Sequence, residues 1–117
     1  MKRNHRELRA WQDAMTLVEH LYRVTAPFPQ SEAYGLTSQI RRAAVSVPSN
    51  IAEGAARSGP KELRQFLSIA QASLSELDTL VDIANRVGYL QDPESTVARI
   101  DQVSGLLAKL KSSIHVS

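Results

Sequence analysis

No cysteine occurs among the 117 residues, which removes a disulfide framework, a thiolate metal site and a cysteine nucleophile together. Aromatic residues make up only 5% of the chain, and glycine and proline number five each. Strands draw on aromatic and β-branched side chains, so this scarcity, beside abundant Ala, Leu, Glu, Gln, Arg and Ser, favours helix. No apolar run approaches the roughly 18 residues of a membrane span, and the basic start MKRNHRELRAWQ has no apolar core of about 7 to 15 residues behind it. The absences together predict a soluble, cytoplasmic, all-α protein with no membrane association, and the length suits one domain spanning residues 1–117.

Charge of either sign is modest, with a net +2, but it is unevenly placed: residues 1–64 hold ten Lys or Arg against six acids, and residues 65–117 hold four against six. The first half is the side on which a polyanion would find cations, although an excess this small is also what ordinary solvation needs.

What is present is helical periodicity. Leu8, Trp11, Met15, Val18 and Tyr22 recur at intervals of three and four and predict a first helix over about 7–25, ended by Thr25-Ala26-Pro27. A second helix is expected over about 36–57, stopped by Ser58-Gly59-Pro60, and a third over about 60–87, with a seam of Leu63, Phe66, Ala70, Ser73, Leu77, Leu80, Ala84 and Val87. Leu67, Leu74 and Val81 widen that seam on one side, Ile69 and Ile83 on the other, and more than half of the circumference is apolar. Such width predicts packing on neighbours beyond the chain itself. Gly88-Tyr89 stops the third helix, and Asp92-Pro93-Glu94 opens a fourth over about 94–114, with Val97, Ile100, Val103, Leu107, Leu110 and Ile114 as its seam. Four helices with short loops make an antiparallel up-down four-helix bundle.

The second helix carries two stripes. Leu36, Ile40, Ala43, Ala44, Val47, Ile51 and Gly54 share one arc, and beside it run Gln39, Arg42, Ser46, Asn50, Glu53 and Arg57. Pro48 lies within the helix, where it lacks an N–H and presses on the carbonyl of Ala44, so a kink is expected. Ser46, Ser49 and Asn50 are close enough in sequence to serve freed carbonyls. Small residues from Ala43 to Ala56 permit close approach of another helix. An amide at the edge of an apolar arc is costly without a partner, so Asn50 reads as a structural or partner-selecting group. Glu53 and Arg57 form an i,i+4 ion pair or serve a subunit interface, Trp11 reads as core or edge packing ahead of base stacking, and Glu76 is either solvated or faces the Arg-bearing second helix.

The strings LTSQIRRAAVSVPSNIAEGAARS and FLSIAQASLSELDTLVDIANRVGYL, with Trp11, Phe28-Pro29 and Tyr34-Gly35-Leu36 upstream, resemble the four-helix-bundle family encoded by intervening sequences of bacterial 23S ribosomal RNA genes. That family is related to the accessory variability proteins of diversity-generating retroelements. The resemblance covers roughly residues 7–90 and leaves the fourth helix without motif residues. It implies a non-catalytic homo-oligomer, typically a pentamer around a central channel. From the retroelement relatives it further implies contact with RNA or DNA, a reverse transcriptase or a ribonucleoprotein.

Lys2, Arg3, Arg6, Arg41, Arg42, Arg57, Lys61 and Arg64 are the candidate nucleic-acid contacts, with Arg9 beside them. Gln39, Arg42, Ser46, Pro48, Asn50, Glu53, Gly54, Arg57 and Glu76 are the candidate subunit-interface or structural positions. Enzymatic patterns are missing from the sequence. None of His5, His20 and His115 follows a Glu at the spacing of a di-iron bundle, no Arg precedes a His at the spacing of nucleotide-binding bundle RNases, and neither a phosphate loop nor a nucleophile elbow occurs. No metal, cofactor or catalytic residue is therefore expected. A protein-interaction module or selfish-element product without nucleic-acid affinity is the alternative.

Overall fold

Punctuation residues set the helix limits in the computed structural model, which describes residues 4–116. A 3₁₀ turn at Asn4–Glu7 leads into helix α1, Arg9–Thr25; a second 3₁₀ turn at Gln30–Glu32 precedes α2, Leu36–Ala56; α3 spans Pro60–Arg86 and α4 spans Pro93–Ser112. Pro60 and Pro93 both occupy first-turn positions, where the missing N–H costs nothing. Asp92 caps α4 by accepting from the Ser95 N–H at 3.2 Å. At the end of α3, Gly88 takes the left-handed conformation, φ 86°, and the Tyr89 N–H reaches back to the Ala84 carbonyl at 2.9 Å.

The helices pack in a ring, α1 on α2, α2 on α3, α3 on α4 and α4 back on α1, with α2 and α3 the most extensive pair. Short connections make successive helices antiparallel, and the described residues contain no strand. The fold is the all-α four-helix bundle expected from the periodicity. One end holds the N-terminal turn, the α2–α3 loop and the end of α4. The other holds the α1–α2 and α3–α4 loops.

Ile40, Ala43, Ala44, Val47 and Ile51 of α2 meet Leu67, Ala70, Leu74, Leu77, Val81 and Ala84 of α3 in the core, with Ile100, Val103 and Leu107 from α4. Each large member contributes about 1.5–3 kcal/mol by leaving water. Gly54 sets the α2–α3 distance. A Cβ built there would lie 2.8 Å from the Phe66 Cβ and 3.1 Å from the Leu63 Cδ1, so the small-residue face of α2 accepts a helix of its own chain.

Two seams differ from the sequence expectation. In α1 the buried apolar residues are Ala10, Ala14, Leu17 and Leu21, while Met15 and Tyr22 are 39% and 43% exposed. The large side chains flank the contact and the alanines make it, because helices approach closest over small residues. In α3 the core turns toward Leu67, Leu74 and Val81, and Leu63, Phe66 and Ser73 are only partly covered and Val87 is exposed.

Pro48 is buried inside α2, and the kink expected there does not interrupt the helix. Its missing N–H leaves the Ala44 carbonyl without the usual donor. The Asn50 amide serves a different carbonyl, that of Ser46, at 2.8 Å.

Candidate functional site

The polar stripe of α2 divides into an inner and an outer part. Ser46 and Asn50 are half-buried and turned inward: the Ser46 hydroxyl pairs with that of Ser73 on α3 at 2.7 Å, and the Asn50 amide donates to the Ser46 hydroxyl at 2.9 Å. These bonds seal the α2–α3 seam within one chain. Gln39, Arg42, Glu53 and Arg57 are exposed. Arg42 borders a groove shared with Gln39, Ser46, Ser73 and Glu76. Glu76 is exposed there. Arg57 bonds Glu53 at 2.6 Å and lies 5.1 Å over the Phe66 ring, so the i,i+4 pair is accompanied by a cation–π contact.

The candidate basic residues fall in two places. Arg6, Arg57, Lys61 and Arg64 lie at the end of the bundle where α2 hands over to α3, together with Arg9. Arg64 reaches the Ile114 carbonyl at 3.3 Å, and this contact brings the start of α3 beside the end of α4. Lys109 and Lys111 thereby join the same end, Lys111 donating to Gln71 Oε1 at 3.2 Å. They are missing from the sequence-derived set, although basic residues in a helix's last turn facing a basic helix start are a readable signal once antiparallel order is assumed. Among the described residues this end holds seven cations, Arg6, Arg9, Arg57, Lys61, Arg64, Lys109 and Lys111, against Glu7, Glu53 and Glu62. Lys2 and Arg3 lie outside the described residues.

Arg41 sits in the other half and is tied into the fold. Its Nε donates to the Thr25 hydroxyl at 2.9 Å, its Nη2 to the Tyr22 carbonyl at 3.3 Å, and its guanidinium stacks 4.5 Å from the Tyr22 ring. It thus supplies donors to the open carbonyl end of α1. Trp11 is half-buried at the edge of the bundle, with His5 against its ring at 5.1 Å and Arg6 at 5.4 Å.

Exposed apolar side chains gather on two faces. On the first, Trp11, Met15 and Val18 of α1 border a shallow groove with Val45, Pro48 and Ala52 of α2, and Tyr22 continues it beside Arg41 and Arg42. On the second, Ile69 is 48% and Ile83 43% exposed on α3, with Val87 at its end.

One further polar feature is structural. His20 is buried between α1 and α4, its Nε2 2.8 Å from the Thr96 hydroxyl. Burial, helped by Arg99 and Arg23, holds its pKa below the ordinary value against an opposing pull from Asp92. No group of acidic, His or Cys side chains able to hold a metal occurs among the described residues, and no helix there is long and apolar enough to cross a membrane.

The model of the 23S rRNA-intervening sequence protein family matches residues 6–109, and so reaches into α4, which the sequence motifs leave bare. A crystal structure of a protein of unknown function from the S23 ribosomal protein family of Bacteroides thetaiotaomicron superposes with a TM-score of 0.81 at 16% identity, over 88% of this chain and 95% of that one. At that identity the likeness speaks for the fold alone. No curated protein matches the chain. With the bundle in place and the family pattern running through nearly all of it, the chain belongs to the 23S rRNA-intervening sequence protein family.

Proposed function

We propose that the protein is a non-catalytic homo-oligomeric helical scaffold, a pentameric ring, that associates with nucleic acid or a ribonucleoprotein through its basic residues. The observation that carries this reading is the gathering of Met15, Tyr22, Val45, Ile69, Ile83 and Val87, all at least 39% exposed, on two faces of a small bundle. Exposed apolar groups scattered singly need no explanation, whereas faces of them mark contacts. The number five rests on the family resemblance. The cationic end formed by Arg6, Arg9, Arg57, Lys61, Arg64, Lys109 and Lys111 supports a polyanionic partner.

Light scattering on the purified protein at micromolar concentration tests assembly, with a mass five times that of the chain expected and a monomer overturning it. Binding of single-stranded and duplex RNA and DNA tests the partner. Affinity is expected to fall steeply with ionic strength and to weaken in Lys61→Gln and Lys109→Gln. Failure of every such probe at low salt would leave a protein-interaction module or selfish-element product. One observation favours that second reading: Arg41 and Arg57 are already engaged by their own fold.

A further inference from the structure

Beside the start of α2 lies an open pocket of about 560 Å³, walled by Tyr22 from the end of α1, Ala33 from the connecting loop, and Thr37, Ser38, Arg41 and Arg42 from the first turns of α2. The only charged side chains in that wall are the two guanidinium groups. The nearest carboxylate in sequence, Glu32, is engaged elsewhere: its Oε1 accepts the Leu36 N–H at 3.2 Å and its Oε2 the Tyr89 hydroxyl at 3.1 Å. The ion pairs among the described residues are Glu53 with Arg57 and Asp82 with Arg86, so neither Arg41 nor Arg42 is neutralised by a described carboxylate.

The pocket also borders donors that the fold leaves open. At the helix start the Leu36 N–H goes to Glu32 and the Gln39 N–H to the Gly35 carbonyl at 3.0 Å, which leaves the N–H groups of Thr37 and Ser38 as the open donors of the first turn. Arg41 uses Nε and Nη2 on Thr25 and Tyr22, bonds that fix the plane of its guanidinium and leave Nη1 open. Thr37 is only 8% exposed, and its hydroxyl is the buried side-chain polar atom among the described residues that has no hydrogen-bond partner. An orphaned buried hydroxyl is costly. A threonine in a helix has two rotamers open to it, and an acceptor oxygen arriving at this wall would supply the missing partner.

We propose that this pocket binds a phosphate monoester, with the phosphate at the positive end of α2 between the two guanidinium groups. Such a group carries about −1.5 to −2 charge at pH 7, which two arginines without a competing carboxylate balance. The Thr37 and Ser38 N–H groups and the Thr37 hydroxyl donate to its oxygens, as helix starts do to anions, and Arg41 is held in place by its bonds to α1, so little ordering opposes binding. The pocket is larger than a phosphate, and the exposed ring of Tyr22 and the side chain of Val45 are left to meet the organic part of the ligand. Every group belongs to one chain, and the site does not depend on assembly.

Inorganic phosphate is the probe, titrated into the full chain with chloride at matched ionic strength as the control, and amide proton–nitrogen spectra are the readout. A saturable shift centred on Thr37 and Ser38 is expected with phosphate and none with chloride. Arg42→Gln, on the exposed side of the pocket, should weaken binding by about tenfold or more. Thr37→Val should weaken it too, while leaving the thermal midpoint without phosphate equal or higher, because an orphaned donor is removed. Shifts that do not saturate, that match those in chloride, or that centre elsewhere in the bundle would overturn the site, as would unchanged affinity in Arg42→Gln. A midpoint lowered by Thr37→Val would show that the hydroxyl is bonded within the chain and would remove it from the site. A 5′-phosphorylated oligonucleotide that moves the same amides at lower concentration than inorganic phosphate, where its 5′-hydroxyl counterpart does not, would identify the phosphate as a strand terminus; equal behaviour of the two strands would identify it as that of a small molecule.

Discussion

Along the α2–α3 seam, Gly54 brings two helices into backbone-close contact and the neutral groups of Ser46, Asn50 and Ser73 bond across the gap. Along the α1–α4 seam, the buried cross-helix bond instead joins a titratable group, His20, to Thr96. The first seam depends on shape and the second on protonation. Substitutions that fill space should therefore damage one seam, and acid should damage the other.

The largest effect is expected at Gly54. In Gly54→Val the Cβ and its branches would meet the Phe66 Cβ and Leu63, and the first of these lies next to backbone and cannot swing away. Overpacking of this kind costs about 1–3 kcal/mol, with a further few tenths for a β-branched residue in a helix. Urea denaturation at fixed protein concentration should place the midpoint well below that of the parent. An unchanged midpoint would show that α2 and α3 have room to part.

A smaller loss is expected at the other seam. Thr96→Val keeps the shape and leaves the buried His20 nitrogen without its partner, at about 1–3 kcal/mol. The pH dependence follows from the direction of the His20 shift. Because the folded pKa lies below the ordinary 6.5, the unfolded chain takes up a proton first as pH falls, so stability declines below about pH 6.5 and is level above it. The α2–α3 seam has no titratable group in its hydrogen bonds and adds nothing to that slope. Denaturation midpoints measured across pH 5–8 should show the decline in the parent protein and a shallower one in His20→Gln. Equal slopes would mean that the α1–α4 seam is not the acid-sensitive one.

Asn50→Ala tests the polar part of the first seam. It removes two hydrogen bonds, to the carbonyl and the hydroxyl of Ser46, and about 1 kcal/mol is expected because the site is only half-buried and water can replace the amide. The outer stripe residues Gln39 and Arg42 border the α2–α3 groove but take no part in the hydrogen bonds of either seam. Their substitution should leave monomer stability unchanged, and any effect on assembly then belongs to contacts outside the chain.

The contrast between the seams also separates what a sequence displays from what it hides. The core arc of α2 is legible because Ile40, Val47 and Ile51 recur at helical spacing among alanines, and the stops at Gly59-Pro60 and Asp92-Pro93 act through local backbone chemistry. The α1 seam is not legible in that way. Periodicity weights bulk, and Trp11, Met15 and Tyr22 form a better pattern than Ala10 and Ala14, which make the closer contact. Pairings that depend on topology are hidden as well: His20 with Thr96, 76 residues away, and Lys109 and Lys111 beside Arg64 become neighbours only when α4 folds back along α1 and α3.

Gly105 sharpens the point about Gly54 by reversing its sign. It lies in the interior of α4 with nothing within 4 Å of a Cβ built on it, and it is exposed. There the residue's only contribution is backbone freedom, which weakens a helix interior by roughly 0.5–1 kcal/mol relative to alanine. Gly105→Ala should therefore raise the urea midpoint by about that amount, whereas Gly54→Val lowers it. A lower midpoint in Gly105→Ala would show that this side of α4 is not open in solution.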